Sequence, residues 1–91
     1  MSENLFHAAV SRWGPAAQMV LTMEECGELN VSLAHFIRGR ATTEQVAEEI
    51  ADVEIMCAQL RCVFGDALVD AAKARKLTRL EELLSREEVG I

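Results

Sequence analysis

Two short acidic segments contain the residues of this sequence that are best suited to chemistry. They are Glu24-Glu25-Cys26-Gly27-Glu28 and Glu48-Glu49-Ile50-Ala51-Asp52. Residues three positions apart share a face of a helix, so Glu25 should point the same way as Glu28, and Glu49 the same way as Asp52. Carboxylate oxygens are the ligands that Mg²⁺ prefers, with Mn²⁺ as a substitute. The two pairs therefore predict a divalent-metal site, provided that the fold brings them together.

The composition favours helices as the elements that carry these pairs. The chain has 91 residues with a hydrophobic fraction of 51%, and it contains one Pro, five Gly and no Tyr. This length and composition are typical of one all-α domain, here spanning residues 1–91. We expect a four-helix, bundle-like fold with two long central antiparallel helices.

The expected helix boundaries follow from capping residues and from Gly and Pro. A first helix is capped by Ser2 and ends at Gly14-Pro15, and a second runs from about Pro15 to Arg38. Thr42 and Gln45 form a capping box for a third helix, which ends at about Phe64. Asp66 caps a fourth helix that ends at about Leu84, and the tail at residues 85–91 should be frayed.

On a helical wheel, each long helix has an apolar seam with its carboxylate pair on the same side of that seam. The predicted seam residues lie within roughly +20° to +100° of Glu25 or Glu49; they are Gln18, Thr22, Cys26, Leu29, Leu33 and Phe36, and Val46, Ile50, Val53, Cys57, Leu60 and Phe64. The short connection around Gly39 forces an antiparallel hairpin. Packing seam to seam would then bring the four carboxylates to one groove, with a height offset of roughly 6 Å.

Both long helices also have a second face of small and apolar residues. This pattern predicts that they are buried on two sides. We expect a homodimer or a dimer of dimers that shares its core between subunits. The alternative is that the first and fourth helices cover these faces within one monomer.

Charge and cysteine content limit the partners and the compartment. The net charge is -6, which argues against nucleic acid or an anionic membrane as a partner. No apolar run is long enough to span a bilayer, and no signal peptide is expected. Cys26, Cys57 and Cys62 form no CxxC motif and are expected to be reduced core residues, which favours a cytoplasmic location.

The fourth helix carries a cluster of cations, namely Lys73, Arg75, Lys76 and Arg79. They form either a solvated stripe that pairs with Glu81 and Glu82, or a set of ligands for a phosphate chain, in which Lys76 and Arg79 would bind the phosphates. Six further acidic residues are expected to lie on solvated faces: Glu48, Glu54, Glu81, Glu82, Glu87 and Glu88.

The paired acidic motifs resemble the EExxE…ExxD signature of the MazG-like all-α nucleoside triphosphate pyrophosphohydrolases. The resemblance covers residues 13–84, and Lys76-Leu77-Thr78-Arg79 is similar to the basic element of that family's last helix. It implies that Glu25, Glu28, Glu49 and Asp52 bind Mg²⁺. It also implies hydrolysis of a nucleoside triphosphate between the α- and β-phosphates, releasing a nucleoside monophosphate and pyrophosphate.

Two more residues receive roles by this resemblance. Glu24 would help to activate the attacking water, although a supporting or plain surface role is an equal alternative. His35 would contact the base, or else be an ordinary, partly exposed histidine. Lys73 would bind the substrate phosphates together with Lys76 and Arg79.

Two other functions stay open at this point. One is phosphoribosyl-ATP pyrophosphohydrolase, which belongs to the same superfamily. The other is a non-catalytic helical dimer that binds metal or nucleotide. The cations of the fourth helix favour an enzyme.

Overall fold

The computed structural model describes residues 2–86, with side chains from residue 5 onward. Within that range the chain forms four α-helices: α1 Ser2–Trp13, α2 Pro15–Ile37, α3 Thr43–Phe64 and α4 Asp66–Leu84. The expected all-α fold is confirmed. Most of the tail that we expect to be frayed lies outside the described residues. None of the helices within residues 2–86 is both long and apolar enough to cross a membrane.

Local signals set most helix boundaries. In the capping box, Thr42 Oγ1 accepts from the Gln45 N–H at 3.1 Å, and Gln45 Oε1 accepts from the Thr42 N–H at 2.8 Å. The expected cap at Asp66 is wrong, because Gly65 occupies that position without a side-chain hydrogen bond. Gly65 has φ 108°, which disfavours any residue with a Cβ. The carboxylate of Asp66 instead accepts a hydrogen bond from Arg61 at 3.0 Å. Ser2 is the first residue of α1, and its side chain lies outside the described part of the chain.

The hairpin of α2 and α3 is the centre of the fold, and a buried amide pair marks its register. Gln18 Nε2 donates to Gln59 Oε1 at 2.6 Å, and both residues are buried. Glu25 lies seven residues after Gln18, and Asp52 lies seven residues before Gln59. In an antiparallel pair these two residues therefore stand at the same height, and so do Glu28 and Glu49, three residues further on.

The height offset that we expect from the sequence is thus absent, and the connection between the helices explains why. The N–H groups of Arg38, Gly39 and Arg40 bond to carbonyls in the last turn of α2, ending with Arg40 to the His35 carbonyl at 2.8 Å. The chain therefore folds back along the end of α2 before Thr42 opens α3. That return brings the start of α3 level with the last turns of α2.

The face on which α2 meets α3 agrees only in part with the predicted seam. On α2, Gln18 and Thr22 of that seam are buried, and Glu25 beside them is half-buried. On α3, the buried residues Met56 and Gln59 lie outside the predicted seam, on the side of the carboxylates. Several predicted seam residues are exposed instead: Cys26, Leu33, Phe36, Ile50, Cys57 and Phe64.

This correction has a clear physical reason. The wheel averages hydrophobicity and cannot account for a polar pair that is satisfied inside the contact. With Gln59 paired to Gln18 inside the contact, α3 presents the side of Met56 and Gln59 to α2 and not its most apolar seam. As a consequence, large apolar side chains are left at the surface of the protomer.

The outer helices cover the hairpin unequally. Among the described residues, α1 approaches both α2 and α3, whereas α4 approaches α3 only. The first turns of α4 are held by Arg61, whose Nη1 atom donates to Asp66 at 3.0 Å and to Asp70 at 2.7 Å. The alternative in which α1 and α4 cover both long helices within one monomer is therefore not met on the α4 side.

Candidate metal centre

Three of the four predicted metal ligands converge between α2 and α3. One carboxylate oxygen each from Glu25, Glu49 and Asp52 lies within 4.8 Å of the other two. The register set by the amide pair produces this convergence, because it puts Glu25 across from Asp52. Glu28 is not part of this triplet, but it lies close enough to both Glu25 and Glu49 to repel their charges.

Two oxygens of this cluster are buried without a hydrogen-bond partner. They are Oε1 of Glu25 and Oε1 of Glu49. Burial raises the pKa of Glu25 above 4.5, and repulsion from Glu28, Asp52 and Glu49 raises it further. Burial also raises the pKa of Glu49, followed by repulsion from Glu28, Asp52 and Glu48. An unpaired buried carboxylate oxygen is costly, so the site favours a bound cation.

The donor set fits a hard divalent cation. Oxygen ligands lie at about 2.0–2.1 Å from Mg²⁺ and about 2.3–2.6 Å from Ca²⁺, so oxygens on opposite sides of one ion are about 4.2 Å apart for Mg²⁺ and about 5 Å apart for Ca²⁺. The three oxygens of the triplet, all within 4.8 Å of one another, have the spacing of a Ca²⁺ site, and a small movement of the side chains would bring them to Mg²⁺ distances. All of them are carboxylate oxygens, which favours Mg²⁺ or Mn²⁺ over a metal that prefers sulfur or nitrogen.

An open groove of about 800 Å³ runs beside the cluster along one side of the hairpin. Its size is within the range of about 300–1,000 Å³ that is usual for small-molecule sites. Its polar lining consists of Glu24, Glu28, Ser32, His35, Arg40, Gln45, Glu48 and Glu49. We call this feature the acidic groove. Glu24 and His35, which we assign from the sequence to substrate chemistry, therefore share one surface with Glu28 and Glu49.

A second, smaller recess continues from the acidic groove. It has a volume of about 470 Å³ and is lined mainly by Trp13, Ala17, Val20 and Leu21. Glu24 lines both cavities, so the two are contiguous along α2. We call it the apolar recess.

The predicted phosphate ligands of α4 lie elsewhere in the protomer. Lys73 and Lys76 line a separate groove that consists of α4 residues only, and Arg79 is exposed. Because α4 does not approach α2 among the described residues, the fold of one protomer does not bring these cations to the acidic groove.

Sequence reasoning missed three features of the site. Arg40 lines the acidic groove and lies between the two acidic motifs in the sequence. Its position in the short connection between two acidic helices was a usable signal. Glu48, which we expect to be solvated, also lines the groove. The pair of Gln18 and Gln59 gave no signal, since one lies in an apolar pattern and the other outside the predicted seam.

Comparison of the chain with family models, with curated proteins and with solved structures gave no match. The geometry of the cluster and of its groove is therefore what the functional proposal depends on.

Proposed function

We propose that the protein is a metal-dependent nucleoside triphosphate pyrophosphohydrolase. The observation that carries this proposal is the matched height of two carboxylate pairs, two of whose oxygens are buried without a partner beside an open groove. The substrate would be an NTP or dNTP, cleaved between the α- and β-phosphates to a nucleoside monophosphate and pyrophosphate. Such an activity would suit the removal of unwanted nucleotides from the pool.

Glu25, Glu28, Glu49 and Asp52 would hold Mg²⁺, with Mn²⁺ as a substitute. The bound metal would neutralise phosphate charge and make water more acidic. Without it, an acidic groove would repel a triphosphate, because groups of like charge would face each other. The proposal therefore requires the cation for binding as well as for chemistry.

The other residues of the groove receive roles from their positions. Water forms the new bond to the α-phosphorus, the bond from that phosphorus to the bridging oxygen breaks, and pyrophosphate leaves. Glu24 is exposed on the groove wall and can accept the proton of that water. Arg40 can bind phosphate oxygens, and His35, at the same end of the groove, can contact the ribose or the base.

A homodimer is part of the proposal. The accessible surface is 7130 Å², whereas a compact monomer of this mass exposes about 5,200 Å². Many large apolar side chains are exposed, including Leu33 at 44%, Ile50 at 43% and Phe64 at 55%. Association of two copies, or of two such dimers, would remove part of the exposed apolar area from water.

The test is pyrophosphate release from a panel of NTPs and dNTPs, with phosphoribosyl-ATP included, in the presence of Mg²⁺. We expect Glu49→Gln to lower the rate by roughly a hundredfold or more, because it removes a charge that holds the metal. Glu28→Ala should also abolish activity while far-UV helicity is unchanged.

The matched control is Glu81→Gln, which removes one exposed carboxylate of α4 outside the groove. Its rate should equal that of the wild type. Wild-type rates in Glu49→Gln would contradict the assigned site. No release from any nucleotide at high enzyme concentration would favour a non-catalytic dimer that binds metal or nucleotide.

A further inference from the structure

Helix α4 is an arm with an uncovered apolar side. It continues directly from Gly65 and is tied to α3 through Arg61, Asp66 and Asp70. Among the described residues it approaches no other helix. Beyond its first turns, therefore, contacts within the protomer do little to stabilise α4.

The uncovered side forms a stripe at helical spacing. A groove of about 420 Å³ is lined by Val69, Ala72, Lys73, Lys76, Leu77 and Leu80. We call this surface the α4 stripe. Leu77 and Leu80 are each 51% exposed, so a substantial apolar area faces water. While this area is exposed, the protein lacks the stabilisation that its burial would provide.

Two lysines within the stripe restrict what can cover it. Lys73 and Lys76 lie between the apolar residues and not on the opposite side of the helix. Removing an ammonium group from water is strongly unfavourable unless the group gains a carboxylate or phosphate partner. The covering surface must therefore offer apolar area and negative charge next to each other.

The chain itself carries such a surface. The acidic groove presents Glu24, Glu28 and Glu48, and the apolar recess next to it presents Val20 and Leu21. Both lie along one side of α2 and meet at Glu24. The carboxylates of this surface complement the two lysines of the α4 stripe, and its apolar recess complements Leu77 and Leu80 next to them, but the stripe of the same protomer does not reach it.

We infer that the α4 stripe of one protomer packs across the acidic groove and apolar recess of a second copy of this chain, and that the exchange is reciprocal. A symmetric dimer of this kind uses the same two surfaces on each copy. The surface in excess of a compact monomer is roughly 1,900 Å² per protomer. This excess is more than the roughly 800 Å² that each partner buries in an interface of standard size, so a second copy has enough surface to cover.

The arrangement gives the acidic groove a second wall. Lys73, Lys76 and Arg79 would enter it from the partner, opposite the metal-binding carboxylates. The role of these cations in binding substrate phosphates rests on the proposed function, whereas the docking of α4 does not depend on that function. Each site would then combine the carboxylates and Arg40 of one copy with the α4 cations of the other.

Zero-length carbodiimide cross-linking tests the docking without an activity assay. Protein labelled with ¹⁵N is mixed with unlabelled protein, allowed to exchange subunits and cross-linked. We expect linked peptides that join Lys73 or Lys76 to Glu24, Glu28 or Glu48 and contain one labelled and one unlabelled chain. Cross-links of these lysines within one copy only, or a monomer mass before cross-linking, would overturn the inference.

Charge insertion gives an independent test. Leu80→Glu places a carboxylate in the α4 stripe, and we expect sedimentation to show the monomer mass. Ala71→Glu adds the same charge to an exposed position off the stripe and should keep the mass of the wild type. Equal masses for the two variants would contradict an interface at the stripe.

Subunit mixing tests the shared site itself. Glu49→Gln and Lys76→Ala should each be nearly inactive, but their heterodimer contains one site with intact carboxylates and an intact lysine. After exchange the mixture should recover about a quarter of the wild-type activity, because half of the dimers are mixed and each has one complete site. Glu49→Gln mixed with Glu28→Ala should recover none.

The outcomes separate the two proposals. No recovery from the first mixture, with active wild type and mixed-label dimers, would remove the lysine from the partner's site. An inactive wild type that nevertheless yields the expected cross-links would overturn the enzymatic function and leave the docking in place.

Discussion

At the scale of single residues, Glu25 and Glu49 are the side chains with the least favourable surroundings within one protomer. Each has one buried oxygen without a hydrogen-bond partner and several carboxylate neighbours. A fold that served stability alone would place such groups in water or opposite a cation. Their arrangement favours a site whose ligand supplies positive charge.

The pH dependence of stability follows from the raised pKa of both residues. The folded protein holds more protons than the unfolded chain above the ordinary value of 4.5, so stability is lost as the pH rises through the raised pKa values. In metal-free buffer we expect the melting temperature of Glu49→Gln, measured relative to that of the wild type, to increase as the pH rises from about 5 to about 7.5. Thermal melts by circular dichroism measure this difference.

With magnesium, the melting temperature of the wild type should exceed that of Glu49→Gln. At neutral pH, millimolar Mg²⁺ should raise the melting temperature of the wild type, because it binds only the folded cluster, and should do little for Glu49→Gln. Glu81→Gln should follow the wild type in both buffers. A wild-type melting temperature that does not respond to Mg²⁺ would argue against a preformed metal site.

At the scale of elements, a polar pair and not an apolar seam marks how α2 and α3 meet. Gln18 and Gln59 are buried, and Thr22 Oγ1 donates to the Gln18 carbonyl at 2.7 Å beside them. The pair stands two turns from the level of Glu25 and Asp52. A slip of one turn would break the amide hydrogen bond and separate the carboxylates at the same time.

This contact also shows what sequence could and could not predict. The helix boundaries were accessible because Gly14, Gly39, Gly65 and the capping box of Thr42 are local signals. The carboxylates were accessible because their spacing matches a helix turn. The face that α3 turns to α2 was not, since Gln59 is buried against Gln18, 41 positions away in the sequence, and a helical wheel contains no information on such a pair.

A double-mutant cycle tests the pair. Gln59→Leu leaves the buried Gln18 amide unpaired, and we expect a loss of about 1–3 kcal/mol in the free energy of unfolding. Gln18→Leu should cost a similar amount. The double variant should cost less than the sum, with a coupling energy of about 1 kcal/mol, because no amide is then left unpaired. Urea denaturation provides all three values, and strict additivity would show that the hydrogen bond does not set the register.

At the scale of the whole molecule, one protomer is too open to be stabilised by its own core. Its radius of gyration is 16.3 Å, whereas a compact chain of this length has about 12 Å. Among the described residues, Met56 is the one apolar side chain that is more than nine-tenths buried. The apolar area that should oppose chain entropy is instead at the surface, where a second copy can cover it.

Stability should therefore depend on protein concentration. If folding and association are coupled, each tenfold dilution removes about 1.4 kcal/mol of apparent stability per dimer. For a unit of two such chains this corresponds to a fall of about 3–5 °C in melting temperature. Scanning calorimetry over a hundredfold range of concentration should show a single transition that moves accordingly. Ala71→Glu should show the same dependence, and Leu80→Glu should melt at a lower temperature than the wild type at every concentration. A wild-type melting temperature that is constant over that range, together with a monomer mass, would mean that the open protomer is stable alone.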